Sequence, residues 1–93
     1  MTTSKKRVHV YYSGSVQGVG FRFTAERLAS KLGLKGWVRN AEDGRVELVC
    51  EGEPADIEEF LKKISEVFGG YIRDTSIERS AANGEFEDFD VRA

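Results

Sequence analysis

The sequence predicts an α+β fold in which two helices lie on one face of a mostly antiparallel sheet of four to five strands. Two segments repeat apolar residues at helical spacing, and most of the remaining segments alternate apolar and polar residues as strands do. The chain of 93 residues is long enough for one domain of two layers and no more. We therefore expect a single domain over residues 1–93, with residues 1–6 flexible.

Each element is predicted from its own pattern. Gly33 ends the first helix, as glycine commonly does, and Pro54 fits the first position of the second. The apolar stripes are Phe21, Ala25, Leu28 and Leu32 in the first helix and Ile57, Phe60, Leu61, Ile64 and Phe68 in the second. In chain order we expect a strand at 7–13, a helix at 21–32, strands at 34–40 and 45–52 joined by a turn at Asp43-Gly44, a helix at 54–68, and weaker strands at 71–80 and 85–92 around a turn at Asn83-Gly84.

The split β-α-β arrangement of ferredoxin-like folds is the simplest way to thread this order of elements. In that arrangement the strand after the first helix returns to the end of the sheet where the helix began. The same architecture is used by enzymes, RNA-binding modules and regulatory modules. The fold by itself therefore does not give the function.

The composition limits the classes of partner. The formal net charge of −2 argues against a nucleic-acid partner, because affinity for the phosphate backbone depends on clustered Lys and Arg. One histidine and one cysteine argue against a dedicated zinc site. Cys50 lies on an apolar strand face, where we expect a buried thiol in a reducing compartment. No apolar segment follows the basic residues at the N-terminus, so we expect a cytoplasmic protein without a membrane partner. We also expect a monomer.

The stretch SGSVQGVGFRF, residues 13–23, has the pattern of an anion-binding loop. Gly14, Gly18 and Gly20 allow turns in which successive main-chain N–H groups converge on one point, and the following helix adds the free N–H groups of its first turn. Arg22 in that turn opposes the helix dipole at a cost of about 0.3–1 kcal/mol, and a bound anion would turn this conflict into attraction. The alternative is a plain connection, with Arg22 lying in solvent.

Asn40, at the end of the strand GWVRN, is the second candidate site residue. Asparagine before a turn is also ordinary turn chemistry, which is the alternative interpretation. The predicted topology returns the end of this strand toward the glycine loop. A neutral amide there could hold a water molecule by hydrogen bonds without repelling an anion.

Two longer motifs resemble a known family. GSVQGVGFR at 14–22 and GWVRNAEDGRVELVCEG at 36–52 resemble the two signatures of the acylphosphatases, and the similarity extends from Val8 to Arg92. The resemblance implies a ferredoxin-like fold and the hydrolysis of an acyl phosphate to a carboxylate and inorganic phosphate by an oriented water. It implies no metal and no cofactor, with a small-molecule acyl phosphate as substrate and inorganic phosphate as product and competitive inhibitor.

The resemblance also implies roles for individual residues. By their positions in the motifs, Arg22 would bind the phosphate and Asn40 would orient the attacking water. The phosphate cradle would be formed by the main-chain N–H groups of Ser15, Val16, Gln17, Gly18, Val19 and Gly20.

Two other functions fit parts of the sequence. An RNA-binding module of the RRM kind could stack bases on Tyr11 or Tyr12, although the strand RVELVCEG offers no aromatic residue. A catalytically weak module for phosphate or protein binding would keep the loop and bind phosphate without turnover. We expect His9 on a strand surface, and Trp37 and most of the six phenylalanines in packing.

Overall fold

The computed structural model describes residues 4–93 and contains the two helices and five strands expected from the sequence. The strands form one sheet in the order β4-β1-β3-β2-β5, in which only the β2–β5 pair is parallel. The predicted ferredoxin-like architecture is confirmed. The elements are β1 (Lys6–Gly14), α1 (Phe21–Lys31), β2 (Lys35–Asn40), β3 (Val46–Gly52), α2 (Pro54–Phe68), β4 (Ile72–Ala81) and β5 (Phe89–Arg92).

The two helices cover one face of the sheet. All five residues of the stripe predicted for α2 are buried. In α1 the buried residues are Phe21, Ala25 and Ala29, whereas Leu28 and Leu32 are only partly buried against the core. The predicted stripe of α1 therefore faces the core, and Ala29 is a further buried position that the prediction did not include. Small alanines at the centre of the contact allow a helix to lie close to a sheet.

The end of α1 shows how the predicted glycine works. Gly33 has a φ of 71°, and its N–H donates to the Ser30 carbonyl at 3.2 Å. The Leu34 N–H donates to the Ala29 carbonyl at 2.9 Å. These two bonds form a Schellman motif, which satisfies the last carbonyls of the helix and turns the chain into β2.

The two ends of the chain differ from the sequence prediction. β1 begins one residue earlier than expected, at Lys6, which pairs with Gly52 and Ala81. Residues 1–3 lie outside the described part of the chain. The last strand is shorter than expected, because residues 82–88 carry the chain from one edge of the sheet to the other.

The side of the sheet away from the helices, here called the open face, holds a buried carboxylate. Glu47 is only 5% exposed. It accepts hydrogen bonds from His9 Nε2 at 2.7 Å, the Tyr11 hydroxyl at 2.8 Å and Arg39 Nε at 2.7 Å. Burial alone would raise the pKa of Glu47, but these three donors outweigh it and hold the pKa below its usual range.

A second buried carboxylate on the open face holds the chain where it leaves β4. Glu51 accepts the main-chain N–H groups of Asn83 and Gly84, each at 3.1 Å, and Arg7 Nε at 2.8 Å. Arginines also cover the aromatic rings of this face. The Arg45 guanidinium lies 4.1 Å from the centre of the Tyr11 ring. The two buried carboxylates of the open face are thus each bonded to an arginine.

Cys50 is buried in the core, as the sequence predicted, and burial raises the pKa of its thiol to about 12. Neither helix in the described residues is long and apolar enough to cross a membrane.

Candidate active site

The sheet register places Asn40 beside the glycine loop. β1 and β2 both run antiparallel to β3, so they point in the same direction, and their C-terminal ends lie at the same end of the sheet. Val46 at the start of β3 pairs with Tyr12 on one side and with Asn40 on the other. Because residues alternate along a strand, Asn40 shares the helix-covered face with the buried Val38. Its side chain therefore belongs to the face on which α1 begins.

Arg22 and Asn40 line the same cleft. The cleft has a volume of about 240 Å³, and we call it the Arg22–Asn40 cleft. Its other lining residues are Val16, Gly18, Gly20, Phe21 and Phe23. The predicted residues Ser15, Gln17 and Val19 belong to the loop without lining the cleft. None of the described lining residues is acidic, so an anion entering the cleft meets no repelling carboxylate.

Three anchors hold the loop against the sheet. The Ser15 N–H donates to the Tyr71 carbonyl at 2.9 Å. The Val16 side chain is fully buried in the core. The Gln17 side-chain amide donates to the carbonyls of Ala41 at 2.8 Å and Arg45 at 3.0 Å, which ties the loop to the turn that follows Asn40. These contacts tie residues 15–17 of the loop to the sheet and to the turn that follows Asn40.

Two details of the predicted cradle need correction. Ser15 cannot offer its N–H to a phosphate in this arrangement, because that group is already bonded to Tyr71. Gly14 is required by strand packing rather than by the cradle. A Cβ at Gly14 would lie 2.4 Å from the Tyr71 carbonyl oxygen and 2.7 Å from the Arg73 nitrogen, which no side chain could tolerate.

Among residues 4–93, none of the main-chain N–H groups from Val16 to Phe23 forms a hydrogen bond of good geometry, and residues 17–18 form a turn. Gly18 and Gly20 have φ values of 78° and 81°, and a Cβ at either would meet nothing within 4 Å. These glycines are therefore needed for backbone conformation and not for space. Gly20 is the N-cap of α1 without a side-chain cap, and the first turn contains no acidic residue. The loop and the helix start together present a run of unpaired donors.

The two polar side chains of the cleft, Arg22 and Asn40, also lack hydrogen-bond partners among the described residues. Arg22 forms no ion pair within the described residues, and its guanidinium carbon lies 5.8 Å from the centre of the Phe23 ring. The Asn40 amide makes no side-chain hydrogen bond there. A guanidinium can donate hydrogen bonds to two oxygens of one anion, and the start of a helix is positively polarised. Together they form a strong site for an oxyanion such as phosphate.

Sequence reasoning missed two features of the cleft. The anchoring role of the Gln17 side chain depends on a contact across 24 residues to Ala41, which no local pattern signals. Most of the six phenylalanines were expected in packing, and Phe23, which is 62% exposed at the cleft, was not singled out. The helical period could have revealed this, because Phe23 is two positions from the buried Phe21 and therefore points away from the core.

Comparison with known proteins identifies the family. The family model described as Acylphosphatase matches residues 8–91. The chain belongs to the acylphosphatase family. A curated acylphosphatase from Methylococcus capsulatus is 45% identical, with the match covering 92% of this chain and 95% of that protein. The likeness thus extends over nearly the whole of both chains.

Solved acylphosphatase structures agree with this fold. The crystal structure of the acylphosphatase from Bacillus subtilis is 29% identical, with a TM-score of 0.86 over 95% of this chain and 99% of that one. Full-length HypF, solved in a phosphate- and nucleotide-bound form, is 30% identical with a TM-score of 0.88 over all of this chain, which matches 12% of the HypF chain. The RNA-binding alternative gains no support, because Tyr12 is only 1% exposed and Tyr11 is covered by Arg45.

Proposed function

We propose that Arg22, Asn40 and the unpaired N–H groups of the loop carry out acyl phosphate hydrolysis, the activity that family membership gives this enzyme. The observation that carries the proposal is the Arg22–Asn40 cleft, in which a free guanidinium, a free amide and free main-chain donors meet. The alternative of a catalytically weak binding module has no observation in its favour.

The phosphoryl group of the substrate binds at the loop and the helix start. The main-chain N–H groups of the loop residues that line the cleft, Val16, Gly18 and Gly20, donate to its oxygens, and Arg22 donates two further hydrogen bonds through its planar fork. Phosphoryl transfer requires mainly positioning and stabilisation of charge on the oxygens of the transferred group. The fixed donors supply both, because the anchors of the loop hold them in place before the substrate arrives.

Asn40 orients the attacking water. The oxygen of the water forms a bond to phosphorus, and the bond between phosphorus and the acyl oxygen breaks with its electron pair on that oxygen. The carboxylate leaves without a general acid, because the pKa of its conjugate acid is about 4. The proton of the water passes to a phosphoryl oxygen of the substrate. A neutral amide holds the water without repelling the phosphate.

The test is hydrolysis of benzoyl phosphate by the purified protein, with and without a chelator and with inorganic phosphate as added inhibitor. We expect release of benzoate and phosphate at a rate that the chelator does not change, and competitive inhibition by phosphate. Phosphate binding without turnover would favour the weak binding module instead. Turnover that requires an added metal ion would contradict the mechanism.

We further propose that residues 1–93 form one domain that acts as a cytoplasmic monomer. One continuous core supports the single domain, and the free thiol of Cys50 suits a reducing compartment. Light scattering after size-exclusion chromatography should give the mass of one chain, 10.4 kDa. A mass of two chains, or export of the protein in cell fractionation, would contradict this part of the proposal.

A further inference from the structure

Phe23 is a large apolar side chain exposed where a soluble protein would normally place a polar one. It is the most exposed of the four large hydrophobic residues that remain accessible in the described chain, ahead of Val67, Tyr71 and Ile77. Of these four, Phe23 alone lines the Arg22–Asn40 cleft. Ligand pockets are lined mainly by hydrophobic and aromatic side chains, so an exposed ring that lines the cleft is placed to contact a ligand there.

The position of the ring relative to Arg22 matches the shape of an acyl phosphate. The ring centre lies 5.8 Å from the guanidinium carbon, and both side chains belong to the first turn of α1. In the substrate the acyl carbon is separated from phosphorus by a single oxygen. When Arg22 holds the phosphoryl group, the acyl group therefore lies within reach of the Phe23 ring.

The rest of the cleft offers little to a polar acyl group. Apart from Arg22, Phe23 and Asn40, the lining consists of Gly18 and Gly20 and of Val16 and Phe21, whose side chains are buried. No other charged side chain is present among the described lining residues. A charged substituent on the acyl group would find no counter-charge here, whereas a planar apolar one could stack on Phe23.

We propose that Phe23 forms the acyl-binding side of the cleft and makes the enzyme selective for acyl phosphates with an apolar, preferably aromatic, acyl group. This inference rests on the proposed function and names the substrate class of the same site. Inorganic phosphate and the phosphoryl group use Arg22 and the loop, so Phe23 contributes to selectivity and not to phosphate binding.

The test compares benzoyl phosphate with acetyl phosphate in the wild type and in Phe23→Ala. We expect the ratio of the two kcat/KM values to fall by about threefold to tenfold in Phe23→Ala, the range of one aromatic pair. The kcat/KM for acetyl phosphate should fall less than that for benzoyl phosphate, and the inhibition constant for inorganic phosphate should change less than either. Phe23→Tyr keeps the ring and should restore the ratio. Val67→Ala removes an equally exposed apolar side chain from α2, away from the cleft, and should leave the ratio unchanged.

The outcomes separate this inference from the proposed function. An unchanged ratio in an active Phe23→Ala protein would overturn the inference alone. An equal loss on both substrates with weaker phosphate inhibition would also overturn it, because Phe23 would then position Arg22. Failure of the wild type to hydrolyse either substrate would overturn the proposed function and this inference with it.

Discussion

The open face and the Arg22–Asn40 cleft use arginine in opposite ways. On the open face, Arg7 and Arg39 are bonded to the buried carboxylates Glu51 and Glu47. In the cleft, Arg22 has no carboxylate partner among residues 4–93. Paired charges contribute to the stability of the folded chain, whereas an unpaired guanidinium remains available to a ligand. Arg22 differs from these two arginines because it lacks a carboxylate partner and also lines a cleft without acidic residues.

Arg22→Ala should cause the largest loss of activity. Removing one preorganised donor to a developing charge commonly costs about 10²–10³ in rate, and Arg22 supplies the charge as well. We expect kcat/KM for benzoyl phosphate to fall by at least about 10²-fold and phosphate to inhibit much more weakly. The midpoint of thermal unfolding should not fall, since the substitution removes no ion pair. An Arg22→Ala protein that still binds phosphate normally would contradict a binding role for Arg22.

Asn40→Ala should lower kcat by about 10²-fold and leave phosphate inhibition nearly unchanged, because Asn40 acts on the water and not on the phosphate. Asn40→Asp is the matched variant, since it has the same shape with a negative charge. It should be as inactive as Asn40→Ala and should also weaken phosphate inhibition through repulsion. Near-normal turnover by a folded Asn40→Ala protein would rule out the water-orienting role.

Glu47→Gln should affect stability instead of activity. The substitution removes the charge that accepts hydrogen bonds from His9, Tyr11 and Arg39. We expect the free energy of unfolding in urea at pH 7 to fall by about 1–3 kcal/mol. The kcat/KM should stay within about twofold of the wild type. A large loss of turnover in this variant would show that the open face and the cleft are coupled.

A matched control and the pH dependence sharpen this test. Glu58→Gln breaks an ion pair with Arg79 that is exposed on both sides, so it should cost less than about 0.5 kcal/mol. The pKa of Glu47 is lowered in the folded state. Its stabilising effect is therefore complete above the unfolded value of about 4.3 and is lost as the pH falls through the folded value. The deficit of Glu47→Gln should shrink in acid, and a constant deficit would contradict the assignment.

Of these substitutions, Gly18→Ala should have the smallest effect, and the effect should be specific to phosphate binding. Gly18 has a φ of 78° with open space around it, so alanine would cost about 1 kcal/mol in backbone strain. Gly33 has a φ of 71° with equal space and lies at the end of α1, so Gly33→Ala should lose a similar stability. Only Gly18→Ala should also weaken phosphate inhibition, because its strain moves the loop donors. Equal phosphate inhibition in the two variants would contradict a binding role for the loop.

The fold could be predicted where one face of an element is buried. β1 alternates between buried and partly exposed positions, and α2 has a full apolar stripe, so both were predicted to within a residue or so. β4 is exposed on both faces at the sheet edge, and β5 has only 4 residues. The bounds of β4 were nevertheless predicted to within one residue, whereas β5 begins four residues later than the 85–92 expected.

The candidate site could be predicted in part. The topology and the motifs pointed to Arg22 and Asn40, and the structure brings both to one cleft. The hydrogen bond that occupies the Ser15 N–H could not be foreseen, because its acceptor, Tyr71, is far away in the sequence. The partners of Glu47 on β1 and β2 are likewise visible only once the register of the strands is known.

The anchors of the loop have a consequence for folding. Ser15 is held by Tyr71, just before β4, and Gln17 by the turn between β2 and β3. Contacts of such large sequence separation form late, since long stretches of chain must first be closed. The cleft is therefore assembled only when the edge strand has joined the sheet. During refolding, recovery of hydrolysis should follow completion of the sheet, and a partly folded chain with both helices formed should have no activity.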